Sequence, residues 1–175
     1  MIAIERIDSL PIDRLGALVT EAEATGFHGL SRLLSEWQAG GNRFDQPGEA
    51  LFIATDRGRV VGVCGLNRDP YLGDPAVGRI RHLFVAVAHR RKEIGSRLVR
   101  AVVGAARGAF FRLRLRTDSP EADEFYRSLG FLPVTGEPAC SHQVVLFGDP
   151  DRLPAPRGVV VDRNRLVPPD EPLKP

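Results

Sequence analysis

Lysine is nearly absent from this chain of 175 residues: its 24 basic side chains are 22 arginines and two lysines, Lys92 and Lys174. The two cysteines, Cys64 and Cys140, are too few for a disulfide framework or a cysteine-built structural zinc site, and no metal site is expected. No apolar run is long enough to cross a bilayer. The first residues, Met1–Arg6, lack the basic-then-apolar layout of a secretory signal. The expectation is a cytoplasmic protein with two incidental thiols and no membrane partner. Charge of one sign is also lacking: the net charge of +2 is too small to argue for nucleic acid. Neither G-x-x-x-x-G-K-[ST] nor G-x-G-x-x-G occurs, which excludes a P-loop and a dinucleotide fingerprint. What is present, 43% hydrophobic and 26% charged residues, is ordinary for a globular chain of one-domain length.

The order of elements follows from periodicity and punctuation. Residues 2–7 suit a strand. Helical spacing of Ile12, Leu15, Leu18, Val19 and Ala22, entered at Pro11, predicts a first helix ending at Gly26. Leu30, Leu33, Leu34 and Trp37 predict a second, closed by Gly40-Gly41. Leu51–Thr55 and Arg59–Leu66 flank the turn signal Asp56-Arg57-Gly58 and predict a hairpin. After a loop at 67–76, Val77–Val87 is a third long strand. Leu98, Val99, Val102, Val103, Ala105 and Ala106 form the apolar stripe of a helix over 96–107. Phe111, Leu113 and Leu115 alternate with Arg112, Arg114 and Arg116, a strand with one apolar and one basic face. That face reads as a solvated edge or a helix-covered strand. Ser119-Pro120-Glu121 opens a last helix with cap, proline and first-turn acid, and Gly130 ends it. Residues 133–136 and 142–147 read as closing strands. Composition shifts beyond Phe147: residues 148–175 hold 7 of the 14 prolines and many charges. They are predicted to be an extension of a domain at 1–147, with a short strand at 158–162. The order β-α-α-β-β-β-α-β-α-β-β predicts a mixed α/β fold rather than a regular doubly wound one.

One segment carries chemistry. Over Val85–Ser96 a strand ends, a basic turn follows (Arg90, Arg91, Lys92), and a helix begins near Ile94. Unpaired backbone N–H groups at a helix start form an anion site, which the helix dipole reinforces. Such a turn suits a pyrophosphate. The segment resembles the cofactor loop of the GNAT superfamily of N-acetyltransferases, Gln/Arg-x-x-Gly-x-Gly/Ala, with Arg90 and Gly95 matching and Glu93 in place of the first glycine. Downstream, Ser119-Pro120-Glu121-Ala122-x-x-Phe125-Tyr126-x-x-x-Gly130-Phe131 is similar to the family's Ala-x-x-Phe-Tyr-x-x-x-Gly-Phe helix. The resemblance covers about residues 50–147.

The resemblance implies a central, mostly antiparallel mixed sheet flanked by helices, with a splayed strand pair for the cofactor. It implies acetyl-CoA as co-substrate and a small-molecule or peptide amine as acceptor. Phe84 and Val85 would flank the pantetheine arm, and Arg90, Arg91, Lys92, Glu93, Ile94, Gly95 and Ser96 would hold the pyrophosphate. Ser119 and Phe125 would line the cofactor's path, although capping its helix explains Ser119. Tyr126 matches the tyrosine that often protonates the leaving thiolate. Dimers are common among relatives, so a homodimer is allowed.

Two departures matter. Glu93 sets a carboxylate near phosphates and, if its φ is positive, strains the backbone. The positions where many relatives carry a base fall on Arg79 and Arg81, and a guanidinium does not lose its proton. His82 is adjacent. Simple alternation points it to the other face, and a bulge would redirect it. His28, Glu36 and Asp45 are weaker candidates from the acceptor side. Phe27, His28, Arg32, Trp37, Asn42, Arg43 and Phe44 are candidates to line an acceptor pocket. Two alternatives stand beside an N-acetyltransferase: a catalytically weak or silent CoA-binding module of the same fold, and nucleic-acid binding through Arg112, Arg114 and Arg116, which the net charge disfavours.

Overall fold

The structure is a computed structural model and describes residues 1–146. The elements run β1 (Ile2–Ile7), α1 (Ile12–Ala24), α2 (Gly29–Ala39), β2 (Ala50–Asp56), β3 (Arg59–Arg68), β4 (Val77–Val85), a single 3-10 turn (Val87–His89), α3 (Ile94–Ala106), β5 (Arg112–Leu115), α4 (Pro120–Ser128), β6 (Leu132–Pro133) and β7 (His142–Val145). This is the predicted order. β4 stops two residues early because Val87–His89 coil into the turn. The strand expected at 133–136 is the two-residue β6. The strand expected at 158–162 and the extension at 148–175 lie outside the described residues.

The seven strands form one sheet, β1-β2-β3-β4-β5-β7-β6, antiparallel except for β4 and β5. The mixed, mostly antiparallel sheet flanked by helices is therefore present. Both faces are covered, which is why β3 is buried at every position from Val60 to Asn67. Two glycines show what covers each face. A Cβ on Gly62 would stand 3.0 Å from Leu98 of α3, and one on Gly65 would stand 2.5 Å from Phe44, just after α2. The apolar stripe of α3 (Leu98, Val99, Val102, Ala106) thus packs on one face, and Leu30, Leu33 and Trp37 of α2 pack on the other side of the core. No helix among the described residues is long and apolar enough to cross a membrane.

β4 and β5 pair over three residues only, Val77↔Arg112 to Arg79↔Arg114, and then part. Two features set the split. Gly78 lets β5 and its lead-in close tightly on β4: a Cβ there would stand 2.6 Å from Leu113 and 2.8 Å from Phe110. At the last pair, Arg79 and Arg114 both turn to Asp69, at 3.3 and 3.2 Å. The same carboxylate accepts from the Tyr71 and Leu72 amides and so caps the turn after β3. The basic face of β5 is accordingly not a solvated edge. β5 is an interior strand, Arg114 is fully buried, and its guanidinium also reaches Glu137 and the Pro138 carbonyl. A buried guanidinium requires such partners, because an unpaired charge loses its hydration without return.

Candidate active site

The parting strands open a cleft of about 1230 Å³, walled by α2, α3 and α4 as well as β4 and β5. Tyr126, His82, Phe84, Val85, Arg90, Arg91, Glu93, Ile94, Gly95, Ser96, Ser119 and Phe125 all line it. Lys92 does not: its ammonium donates to the Ala88 carbonyl at 2.9 Å. Arg90 lines the cleft but bends back, its Nε donating to the Val85 carbonyl at 3.0 Å and its guanidinium lying 5.3 Å from the Phe84 ring centre. Of the three cations expected around an anion, Arg91 is the one left exposed with no bond to its own turn.

The turn combines strained backbone with unpaired amides. Arg91 and Glu93 both have positive φ, +58° and +59°. At about 1–2 kcal/mol for each L residue, that geometry is costly. The amides through this turn are left unpaired: among the described residues no hydrogen bond closes any backbone N–H from Arg91 through Ser96, the first intrahelical one being Arg97 to Glu93 at 2.9 Å. Glu93 is exposed and makes no ion pair with Arg90 or Arg97; Arg97 reaches the Ile2 carbonyl instead. Gly95 lies against Phe125 of α4, and a Cβ there would stand 3.4 Å from that ring, in ordinary contact. These groups fit a diphosphate.

His82 enters the cleft through the irregularity that alternation alone misses. Between Val63↔Phe84 and Gly65↔Arg81, β4 uses one residue more than β3, and His82 has φ +59°. The bulge resets the pleat, so Arg81 and His82 both line the cleft. The ring is buried, packs edge-on to Phe44 at 6.0 Å, and leaves Nε2 without a partner. Burial first, and the Arg81 charge second, lower its pKa to about 4, so the imidazole is neutral near pH 7. The sign for stability follows from the proton count. Between pH about 4 and 6.5 the unfolded chain binds a proton at His82 that the folded chain does not. The neutral ring's contribution is full above about pH 6.5 and drains as pH falls towards 4, by at most about 3 kcal/mol. His82→Asn tolerates the positive φ and cannot titrate. It should flatten the acid-side loss of stability between urea titrations at pH 7 and pH 4.5. Equal slopes in both proteins would assign that loss to other groups.

Tyr126 sits on α4 where the capped helix places it. Ser119 Oγ accepts from the Ala122 amide at 3.3 Å, and Pro120 stands at the first position. Its ring packs against Phe125 and Phe131 at 5.1 and 5.5 Å. Burial, with the Cys64 sulfur adding, holds the phenol above its usual range, so it stays protonated. Behind it, His142 of β7 bonds Asp123 of α4 at 2.9 Å and tethers that helix to the sheet.

On the acceptor side, Phe27 and Arg32 line the cleft as expected. His28, Trp37, Asn42, Arg43 and Phe44 do not. Trp37 and Phe44 belong to the core, and Asn42 exchanges amide bonds with Asn67 at 2.9 Å. Glu36 is engaged by Arg81 at 3.2 Å. Sequence reading missed Tyr71, which stacks over Arg79 at 4.7 Å, and Asp69, which gathers the arginines. The two prolines and the glycine of 67–76 marked a loop but not the partners of its side chains.

Comparison with known proteins agrees with this geometry. Residues 47–133 match the acetyltransferase (GNAT) domain. Over 83 residues, 46% of this chain, the sequence is 36% identical to the N-alpha-acetyltransferase RimI of Mycobacterium tuberculosis. The match spans about half of that relative, 51%. A solved structure of a candidate acetyltransferase from Exiguobacterium sp. 255-15 superposes with a TM-score of 0.74 at 29% identity, covering 83% of this chain and 93% of the other. A GNAT-family acetyltransferase from Streptococcus pneumoniae shares the fold, with a TM-score of 0.57 at 23% identity over 78% of this chain and 96% of the other. Parted strands, unpaired amides and the Phe-Tyr helix thus occur together in a chain with those likenesses, and the chain belongs to the GNAT superfamily of acetyltransferases.

Proposed function

We propose that the protein transfers an acetyl group from acetyl-CoA to a primary amine of a small molecule or peptide, by direct attack. The observation that carries this reading is the one cleft lined by the turn and helix start whose amides are unpaired (Arg91 and Glu93–Ser96), by Tyr126 with its protonated phenol and by the neutral His82 ring. The amides and Arg91 would hold the diphosphate, and the Phe84–Val85 strand end would flank the pantetheine arm. Acetyl-CoA supplies an acetyl group on a good leaving thiol. His82 takes a proton from the amine as nitrogen bonds to the acetyl carbon. Tyr126 donates to the sulfur as the carbon–sulfur bond breaks. A neutral imidazole can accept that proton, and a phenol kept protonated can give one. The likeness to an N-alpha-acetyltransferase supports a peptide α-amine among the acceptors.

A silent CoA-binding module is the second reading. The Glu93 carboxylate and the turned-back Arg90 and Lys92 favour it, because they leave the turn less cationic than its sequence implies. Calorimetric titration with acetyl-CoA, followed by an amine screen for thiol release, separates the two: binding without turnover supports the module. Glu93→Gly should relieve the positive φ, raising stability by about 1 kcal/mol. It should also tighten acetyl-CoA about threefold or more by removing a like charge from the phosphates. Weaker binding would show that Glu93 contributes a contact of its own.

A further inference from the structure

The acceptor arm of the cleft carries an unusual charge balance for an enzyme of amines. The residues lining it from α2, the loop after β3 and β4 include Arg32, Arg79 and Arg81 and no carboxylate; Glu93, Glu121 and Glu124 stand on the cofactor side. Two of the three arginines are already matched. Arg79 is buried against Asp69 at 3.3 Å, and Arg81 meets Glu36 at 3.2 Å. Arg32 is exposed on the wall formed by α2 and, among the described residues, makes no ion pair and no side-chain hydrogen bond. Across the split, two residues beyond the last β4–β5 pair, Arg116 also lines the cleft, its only ion pair among the described residues being a solvent-exposed one to Asp118 at 3.5 Å. A cationic ammonium acceptor would meet the unmatched charge of Arg32 on this wall and the exposed Arg116 across the split. An acceptor that brings its own anion would match that charge.

We infer that the acceptor is an amine with a carboxylate close to it, and that Arg32, seconded by Arg81, is the anchor that selects it. The inference rests on the acetyltransferase reading above. A guanidinium recognises a carboxylate in a planar, two-pronged contact, and such charge-assisted bonds are the strong ones. Anchoring the carboxylate on α2 would leave the amine beside the β4 bulge, where His82 lies. The carboxylate can belong to a free amino acid or to an acidic side chain near a peptide N-terminus, and the test separates these sources.

Acetyl-CoA binding is measured first by calorimetry. Rates of thiol release are then compared within two matched pairs: free alanine against alaninamide, and Glu-Ala-Ala-amide against Gln-Ala-Ala-amide. The expected result is a preference of about tenfold or more in kcat/KM for the acid in at least one pair. Arg32→Ala should abolish that preference, Arg32→Lys should retain part of it, and Arg32→Glu should invert it, with KM for acetyl-CoA unchanged in all three. Acid and neutral partners within twofold of each other in both pairs, or a preference that survives Arg32→Ala, would overturn the inference while leaving the acetyltransferase reading intact. Failure to bind acetyl-CoA at all would overturn that reading, and the acceptor assignment with it.

Discussion

Replacing Tyr126 by phenylalanine should lower kcat by about a hundredfold or more while leaving KM for acetyl-CoA and the melting temperature nearly unchanged. The size follows from what a positioned general acid contributes, about 10²–10⁴-fold. The selectivity follows from the site. The ring is the part that packs, against Phe125, Phe131 and His142, and phenylalanine keeps it. The hydroxyl makes no hydrogen bond to any described residue, so its removal strands no protein partner. Burial keeps the proton on the phenol across the working pH range, so an alkaline limb from this group should be absent from the parent profile. Steady-state thiol release with an amine substrate, alongside thermal unfolding, measures both. Unchanged turnover would remove Tyr126 from the chemistry and leave it as a packing residue.

The second large effect is on folding rather than chemistry. Asp69→Ala should cost about 3–5 kcal/mol of unfolding free energy, because it removes one partner from a buried ionic cluster and strands the others. The Asp69 carboxylate is fully buried, as is Arg114, and Arg79 is nearly so. Among the described residues, the remaining partners of Arg114 are Glu137 and the Pro138 carbonyl, its Nε already lacks a partner, and Arg79 keeps no other ion pair. Against a total of about 5–15 kcal/mol for a domain, such a loss brings the protein close to unfolding. Asp69→Asn keeps acceptors for the Tyr71 and Leu72 amides but loses the charge, and should fall between parent and alanine. Urea midpoints of the three proteins give the ranking. A loss under about 1 kcal/mol for alanine would mean that the two guanidiniums find water or another anion. The cluster closes the last β4–β5 pair, so a surviving alanine variant should also bind acetyl-CoA more weakly.

Much of this arrangement was legible from local signals. Ser119-Pro120 states the start of α4 because a hydroxyl cap and a fixed φ are local effects, and the Phe125-Tyr126 pair then falls on its buried side without tertiary information. The basic turn at 90–92 and the helix start near Ile94 were likewise readable. Where the reading fell short, the missing quantity was a neighbour. Arg112, Arg114 and Arg116 alternate as a basic face should, yet Arg114 is fully buried: one aspartate forty-five residues earlier waits for it. Arg90 and Lys92 looked like phosphate ligands, but nearby carbonyls claim them. Alternation turns His82 away because it assumes an unbroken ladder, and the extra residue exists only relative to β3.

The amino-acid sequence by itself determined the order of elements, the helix caps, the basic turn before α3 and the family likeness, since each depends on residues within one or two turns of one another. Tertiary structure alone decided where β4 and β5 part, which arginines are neutralised, and that His82 and Tyr126 share a cleft. Those outcomes depend on pairing register and on ion pairs between distant segments. Charge and hydrogen bonding act through space, and the spacing of letters along a chain does not record which distant groups meet.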